Sequence, residues 1–280
     1  MELLYLAIEA AIQAGQAILK VYDTDFSVEH KSDRSPLTIA DRESHRILVD
    51  RLESTGLPIL SEEGRHLPYE ERKAWNTYWL LDPLDGTKEF VKRNGEFTVN
   101  IALVTDGKPV MGVVYVPVVD DLYFGTMESG AFKLRTAATK LAPSILDAVN
   151  TPLQMTEVLS SAERLPSSLS SPKRFTVVGS RSHSTPEVDE IVAKLKRTHG
   201  DVELISAGSS LKICMVAEGR AQLYPRTGPT MEWDTAAGQA IAEAAGAEMV
   251  VFDTEEPMRY NKENLLNPWF VVKSEPMNFF

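Results

Sequence analysis

Between Trp79 and Phe90 an apolar stretch, Trp79-Leu80-Leu81, runs directly into Asp82-Pro83-Leu84-Asp85-Gly86-Thr87. Leu80 and Leu81 belong inside a sheet. Pro83 has no N–H to give to a ladder, so the strand is expected to stop there, with Asp82 and Asp85 emerging together where it leaves the core. Two carboxylates so placed suit a hard cation such as Mg²⁺. Gly86 lets the backbone approach a ligand closely, and Thr87 can cap a following helix whose first N–H groups face an anion. A plain turn accounts for the same residues, because Asp-Pro and Asp-Gly are ordinary loop dipeptides. The flanking chain has to decide between the two readings.

Upstream, Leu4, Ile8, Ala11, Ile12, Gly15, Ile18 and Leu19 recur at helical spacing and predict an amphipathic helix ending near Tyr22. A second helix carries Ile47, Leu48 and Leu52 inward, and Thr38-Ile39-Ala40-Asp41 stands at its entry. Thr38 and Asp41 have the spacing of a capping box with Asp in place of Glu. Leu57-Pro58-Ile59-Leu60 is a short strand ending in Ser61-Glu62-Glu63. Adjacent side chains on a strand point to opposite sides, so only one of these glutamates can face the same site as Asp82. Solvated loop acids are the alternative.

From Gly95 to Leu134 the pattern is an antiparallel meander, turning at Asp106-Gly107 and again near Asp120-Asp121. Residues 136–173 lose periodicity and are rich in Ala, Ser, Pro and Thr, which reads as an inserted, linker-like segment. Phe175-Thr176-Val177-Val178, a helix from Glu187 to Arg197 and Val202-Glu203-Leu204-Ile205 form a β-α-β pattern, whose strand ends favour ligands. Gly208-Ser209-Ser210-Leu211-Lys212 leads into another helix. The strand Ala221 to Tyr224 ends at Pro225-Arg226, and Asp234 is placed to N-cap a helix over Thr235 to Ala245. An N-cap acid can also bind a metal. The domain expectation is therefore an N-terminal α+β lobe over 1–135, the insertion over 136–173 and a C-terminal α/β lobe over 174–280.

A chain of 280 residues with 43% hydrophobic and 25% charged residues has the composition of an ordinary folded protein, neither disordered nor membrane-embedded. Its net charge of −11 leaves no basic footprint for nucleic acid or anionic lipid. Cys214 is the single cysteine, so no intrachain disulfide forms, and its apolar neighbours make it a core thiol. The five histidines lack paired ligand spacing, which argues against zinc. No signal peptide or integral membrane segment is read, the longest apolar run being broken at Pro117.

Trp79-x-x-Asp82-Pro83-x-Asp85-Gly86-Thr87-x-x-Phe90 and Glu232-Trp233-Asp234-Thr235-Ala236-Ala237-Gly238 resemble the two signatures of the Mg²⁺-dependent, lithium-sensitive phosphomonoesterases of the inositol monophosphatase superfamily. Ser61-Glu62-Glu63, Gly179-Ser180-Arg181-Ser182-His183 and Gly208-Ser209-Ser210-Leu211-Lys212 are similar to motifs of its CysQ-type branch, the 3'(2'),5'-bisphosphate nucleotidases.

The resemblance implies an α+β / α/β layered sandwich, the αβαβα arrangement with two lobes. It implies Glu62, Asp82, Asp85, Asp234 and the Leu84 carbonyl as ligands for two or three Mg²⁺ ions, with Mn²⁺ as a substitute. Asp41 and Thr87 would activate water. Gly86, Thr87, His183, Ser209, Lys212, Arg226 and Asp234 would contact substrate, Arg226 standing where inositol monophosphatases usually carry an acid. The implied activity is removal of the 3'-phosphate of adenosine 3',5'-bisphosphate, clearing a by-product of sulfate activation. The implied location is cytoplasmic, with a peripheral place at the inner membrane face. An inositol or sugar phosphatase of the same fold, or a non-catalytic nucleotide-binding regulator, stays open as an alternative.

Overall fold

The computed structural model describes residues 1–25, 28–30, 36–146, 152–167, 172, 174–179 and 185–275. Among these, two larger sheets account for most of the strands. The first has seven strands, in spatial order Ile59–Ser61, Thr77–Asp85, Thr98–Thr105, Lys108–Val116, Asp121–Thr126, Gly130–Arg135 and Glu163–Leu165. Its first pair is parallel and the rest antiparallel. The second has five, ordered Val202–Ser206, Phe175–Gly179, Leu223–Arg226, Phe270–Lys273 and Glu248–Val251, parallel over the first three.

Strand alternation builds the layers. Trp79 and Leu81 point to a core shared with the helices Glu2–Tyr22 and Ile39–Leu52, while Tyr78 and Leu80 point to the opposite core. That second core holds the helices Leu211–Ala217 and Glu232–Ala244 and, beyond them, Val178, Tyr224, Phe270 and Val272 of the five-stranded sheet. Val177, Leu223 and Val271 face outward onto the helix Pro186–His199. The order is helix, sheet, helix, sheet, helix, as the resemblance implied. The helices of the middle layer pack on both sheets at once, so the two lobes share one core. Gly112 allows this close packing: a Cβ there would stand 2.1 Å from the Ala237 carbonyl oxygen.

Several expectations are corrected. The segment 136–173 carries the helices Ala137–Leu146 and Pro152–Ser161, and Glu163–Leu165 closes the first sheet. Leu141 and Val158 of these helices lie in the core of the first lobe. Pro83 does not end its strand. The ladder shifts register between Asp82, opposite Asn100, and Asp85, opposite Thr98, so the missing N–H falls in a bulge. Among the described residues one helix, Glu2–Tyr22, is long and apolar enough to cross a membrane, and its apolar face is buried in the first core.

Candidate active site

Three chain segments meet at the end of the strand Thr77–Asp85. Glu62 follows the strand Ile59–Ser61, whose pairing continues through a bond from the Glu62 N–H to the Leu81 carbonyl at 3.1 Å. Asp82 is 1% exposed, and its Oδ1 accepts from the Leu84 N–H at 3.1 Å. Asp234 lies in the first turn of Glu232–Ala244. It is not the N-cap: Met231 takes that place, and the Met231 N–H donates to Asp234 Oδ2 at 2.9 Å, which holds the carboxylate at the helix entry.

One oxygen from each of Glu62, Asp82 and Asp234 lies within 4.8 Å of the other two. Burial and then the charge of Asp85 push the Asp234 carboxyl up to about 8, with a smaller contribution from Glu62. A divalent cation beside Asp234 would offset both the burial and the neighbouring negative charge that disfavour its ionised form. An all-oxygen donor set suits Mg²⁺ or Mn²⁺.

Asp41 divides its two oxygens. Oδ2 accepts from the Thr38 N–H at 2.8 Å and the Thr38 hydroxyl at 2.7 Å, completing the capping box. Oδ1 accepts from the Thr87 hydroxyl at 3.3 Å, across 46 residues of chain. The cap and the contact with Thr87 therefore coexist. Thr87 is the first residue of the helix Thr87–Val91, and Gly86 precedes it at φ 91°, a left-handed conformation. The Thr87 hydroxyl also lies 3.3 Å from the Leu84 carbonyl.

Asp85 departs from the expected cluster. Its Oδ2 accepts from the Ser209 hydroxyl at 2.6 Å, the Ser210 N–H at 2.7 Å and the Ser210 hydroxyl at 2.9 Å. Asn100 Nδ2 stands 3.4 Å away. Asp85, Gly86, Ser209, Lys212, Arg226 and Asp234 line one cavity of about 430 Å³. Lys212 is 6% exposed and donates to the carbonyls of Ala207 at 3.2 Å and Ser209 at 2.7 Å. Burial lowers its ammonium to about 8. Arg226 donates to the Pro229 carbonyl at 3.1 Å, and its buried Nε has no partner among the described residues. His183 lies outside the described residues.

With this geometry in place, the sequence match is decisive: residues 1–274 match the inositol monophosphatase family. The chain belongs to that family. Curated relatives named 3'(2'),5'-bisphosphate nucleotidase CysQ, from Escherichia coli (strain K12) and Shigella flexneri, are each 45% identical over 270 residues, spanning 94% of this chain and 96% of the relative. The crystal structure of CysQ from Bacteroides thetaiotaomicron superposes with a TM-score of 0.85 at 50% identity, covering 98% of this chain and 97% of that one. A Thermotoga maritima IMPase shares the fold, with a TM-score of 0.68 at 20% identity over 98% of this chain and 92% of its own. The inositol monophosphatase family is metal-dependent, and the Glu62, Asp82 and Asp234 group is where this member offers a metal its oxygens.

Other parts of this inositol monophosphatase-family site escaped the sequence reading. Thr98 and Asn100 are 0% and 1% exposed and belong to the network around Asp85. Their signal was two polar residues at i and i+2 in an otherwise apolar strand, Phe97 to Val104. A larger cleft of about 1160 Å³, around Lys133 and Glu218, holds none of the three clustered carboxylates. Size alone does not make it the site of the chemistry.

Proposed function

We propose that this chain is a metal-dependent phosphomonoesterase that hydrolyses the 3'-phosphate of adenosine 3',5'-bisphosphate to give AMP and phosphate. The observation that carries the reading is the Glu62, Asp82 and Asp234 group, set in the same region as a cavity with Lys212 and Arg226 on its wall. The relatives named CysQ support the nucleotide as substrate.

In this reading Glu62, Asp82, Asp85, Asp234 and the Leu84 carbonyl hold two or three Mg²⁺ ions, for which Mn²⁺ can substitute. Metal ions held there would supply polarisation of the phosphoryl group and neutralisation of charge on the leaving oxygen. When the Thr87 hydroxyl donates to Asp41 Oδ1 and not to the Leu84 carbonyl, the lone pairs of Thr87 Oγ1 are open to a water proton. That pair orients the water and takes its proton as the new P–O bond forms and the bond to the ribose 3'-oxygen breaks. The ribose oxygen leaves with a proton from solvent. Two of the three Lys212 donors are committed to carbonyls, so the third, with Arg226, is available for the phosphate that does not react. Gly86 and Ser209 border the same cavity, and His183 completes the proposed substrate contacts. The location proposed is cytoplasmic; nothing in the described residues supports a peripheral membrane position.

Phosphate release from adenosine 3',5'-bisphosphate, inositol 1-phosphate and fructose 1,6-bisphosphate, each with Mg²⁺ and with chelator, tests the assignment. The bisphosphate nucleotide should be preferred, and chelator and lithium should both inhibit. Preference for inositol 1-phosphate would move the site to sugar phosphates, and turnover unaffected by chelator would overturn the metal reading.

A further inference from the structure

Asp85 belongs to the first lobe, yet most of what holds it comes from the second. Ser209 and Ser210 reach it from the loop before Leu211–Ala217, and the Ser210 N–H and both hydroxyls converge on Oδ2 alone. Behind them stands a second layer from the strand Thr98–Thr105. The Thr98 hydroxyl lies 2.6 Å from Ser209 Oγ and 2.8 Å from Asn100 Oδ1, and Asn100 Nδ2 donates to Ser210 Oγ at 2.9 Å. Ser210 Oγ is also 2.7 Å from the Asp234 carbonyl. Thr98, Asn100 and Ser210 are 0%, 1% and 3% exposed. Ser209 adopts φ 52°, a left-handed conformation that is costly for a residue with a Cβ and persists where surrounding contacts over-determine it. The loop cannot easily relax: a Cβ at Gly208 would stand 2.8 Å from the Glu96 carbonyl, and the Gly208 N–H is held by Glu96 Oε2 at 2.8 Å.

Ser210 has one hydroxyl proton and two acceptors, Asp85 Oδ2 and the Asp234 carbonyl. Even when that proton turns to Asp234, Oδ2 keeps the Ser209 hydroxyl and the Ser210 N–H. Oδ1 accepts no hydrogen bond from the described residues. The carboxylate is thus fixed through one oxygen, and the other is left for an ion.

The geometry assigns Thr98, Asn100 and Ser210 as positioning residues. They lock Asp85 Oδ2 to the second lobe, and so couple the loop that anchors Lys212 to the metal site. This rests on the reading of Asp85 as a metal ligand. Lys212 Nζ bonds the Ala207 and Ser209 carbonyls, so a phosphate drawn to Lys212 pulls on the same loop that clamps Asp85. Coupling of this kind is reciprocal: nucleotide tightens metal binding by the factor by which metal tightens nucleotide binding.

The test is calorimetric titration of Mn²⁺ into the full chain, with and without AMP. Wild type should bind Mn²⁺, and more tightly with AMP present. Ser210→Ala should weaken Mn²⁺ binding roughly tenfold, from the loss of a hydrogen bond to a charged group, and Asn100→Leu and Thr98→Val, which release the serines that hold Asp85, should weaken it in the same direction; all three should erase the AMP effect. Their turnover should recover at high Mg²⁺. Thr98→Ser, which keeps the hydroxyl, should behave as wild type. If Ser210→Ala does not fold, the Thr98→Val and Thr98→Ser pair decides. Folded variants with wild-type Mn²⁺ affinity and an intact AMP effect would overturn the inference while leaving the metal reading standing. A wild type that binds no Mn²⁺ would overturn the metal reading itself, and the inference with it.

Discussion

Two lysines, 3% and 6% exposed, are associated with opposite ends of the seven-residue helix Leu211–Ala217, and the protein treats them in opposite ways. Lys133 meets the C-terminal end, where it bonds Asp121 at 2.9 Å, Glu218 at 3.2 Å and the Tyr123 hydroxyl at 2.7 Å. Arg135 adds a contact to Glu218 at 3.5 Å. Lys212 lies in the first turn and bonds only carbonyls among the contacts described above. The carboxylates divide in the same way. Glu218 and Asp121 face cations, whereas Glu62, Asp82 and Asp234 face one another. A buried ion pair that is fully matched holds two elements in register and has little capacity left for a ligand. A site where like charges are gathered is costly on its own, and it is satisfied by something brought from outside. The difference separates a structural junction from a binding site within one molecule.

The largest expected effect tests the gathered side. Asp82→Asn removes one charge from the cluster and should lower kcat by about 10³-fold, the scale of losing a main electrostatic contact to the transition state. The melting temperature should stay at the wild-type value or rise, since a repulsive charge has gone. Near-normal turnover of Asp82→Asn under Mg²⁺ would break the comparison at its strongest point.

The matched side predicts the reverse. Lys133→Met leaves Glu218 buried beside one fewer cation and should destabilise the fold by about 3–5 kcal/mol. In folded protein kcat should change by less than about threefold, because no atom of Lys133 lines the cavity around Asp234. Denaturant unfolding and turnover measured on one preparation separate the two effects. A stable variant with lost activity would show that the Lys133 cluster belongs to the chemistry.

How much of this was legible in the sequence follows the range of the forces involved. Helix periodicity, the meander and its Asp106-Gly107 turn are local, and they appear as read. Asp82 was placed from a strand end; local direction limited the glutamate to one of Glu62 and Glu63, and the family resemblance chose Glu62. Clamping of Asp85 depends on Ser209 and Ser210 arriving from 124 and 125 residues away, which no local pattern encodes. The helices and short strand of 136–165 were missed because their turn-rich composition hides a three-residue strand that is stable only against Gly130–Arg135. Asp234 was displaced from N-cap to third helical position by the actual course of the chain at Met231.

Asp41 stands between the two cases, with one oxygen in a cap and one on Thr87. Asp41→Asn should therefore show both costs: about 1 kcal/mol of stability from the weakened capping box and roughly 10²-fold in kcat from loss of the proton acceptor. A destabilised variant with full kcat would place Asp41 wholly on the structural side.

The smallest effect, and the finest test, comes from pH. Burial holds the Lys212 ammonium near 8, against an ordinary value of 10.5, and the positive charge of Arg226 pushes it the same way. Below about pH 8 Lys212 is charged in both folded and unfolded protein, and the folded state bears the desolvation cost. Between about pH 8 and 10.5 the unfolded chain binds more protons, so this group's contribution to stability rises with pH. Phosphate binding changes in the opposite sense. As Lys212 loses its charge above pH 8, kcat/KM for adenosine 3',5'-bisphosphate should fall by up to about tenfold per pH unit, since that ratio reports the free enzyme. Arg226→Ala removes the neighbouring positive charge and should move this break to higher pH, besides lowering kcat/KM at neutral pH. Lys133 does not line the cavity around Asp234, so the profile of Lys133→Met should overlie that of wild type. A kcat/KM profile flat from pH 7 to about 9.5, or one whose break ignores Arg226, would show that Lys212 only ties its loop, and the contrast between the two lysines would reduce to one of geometry.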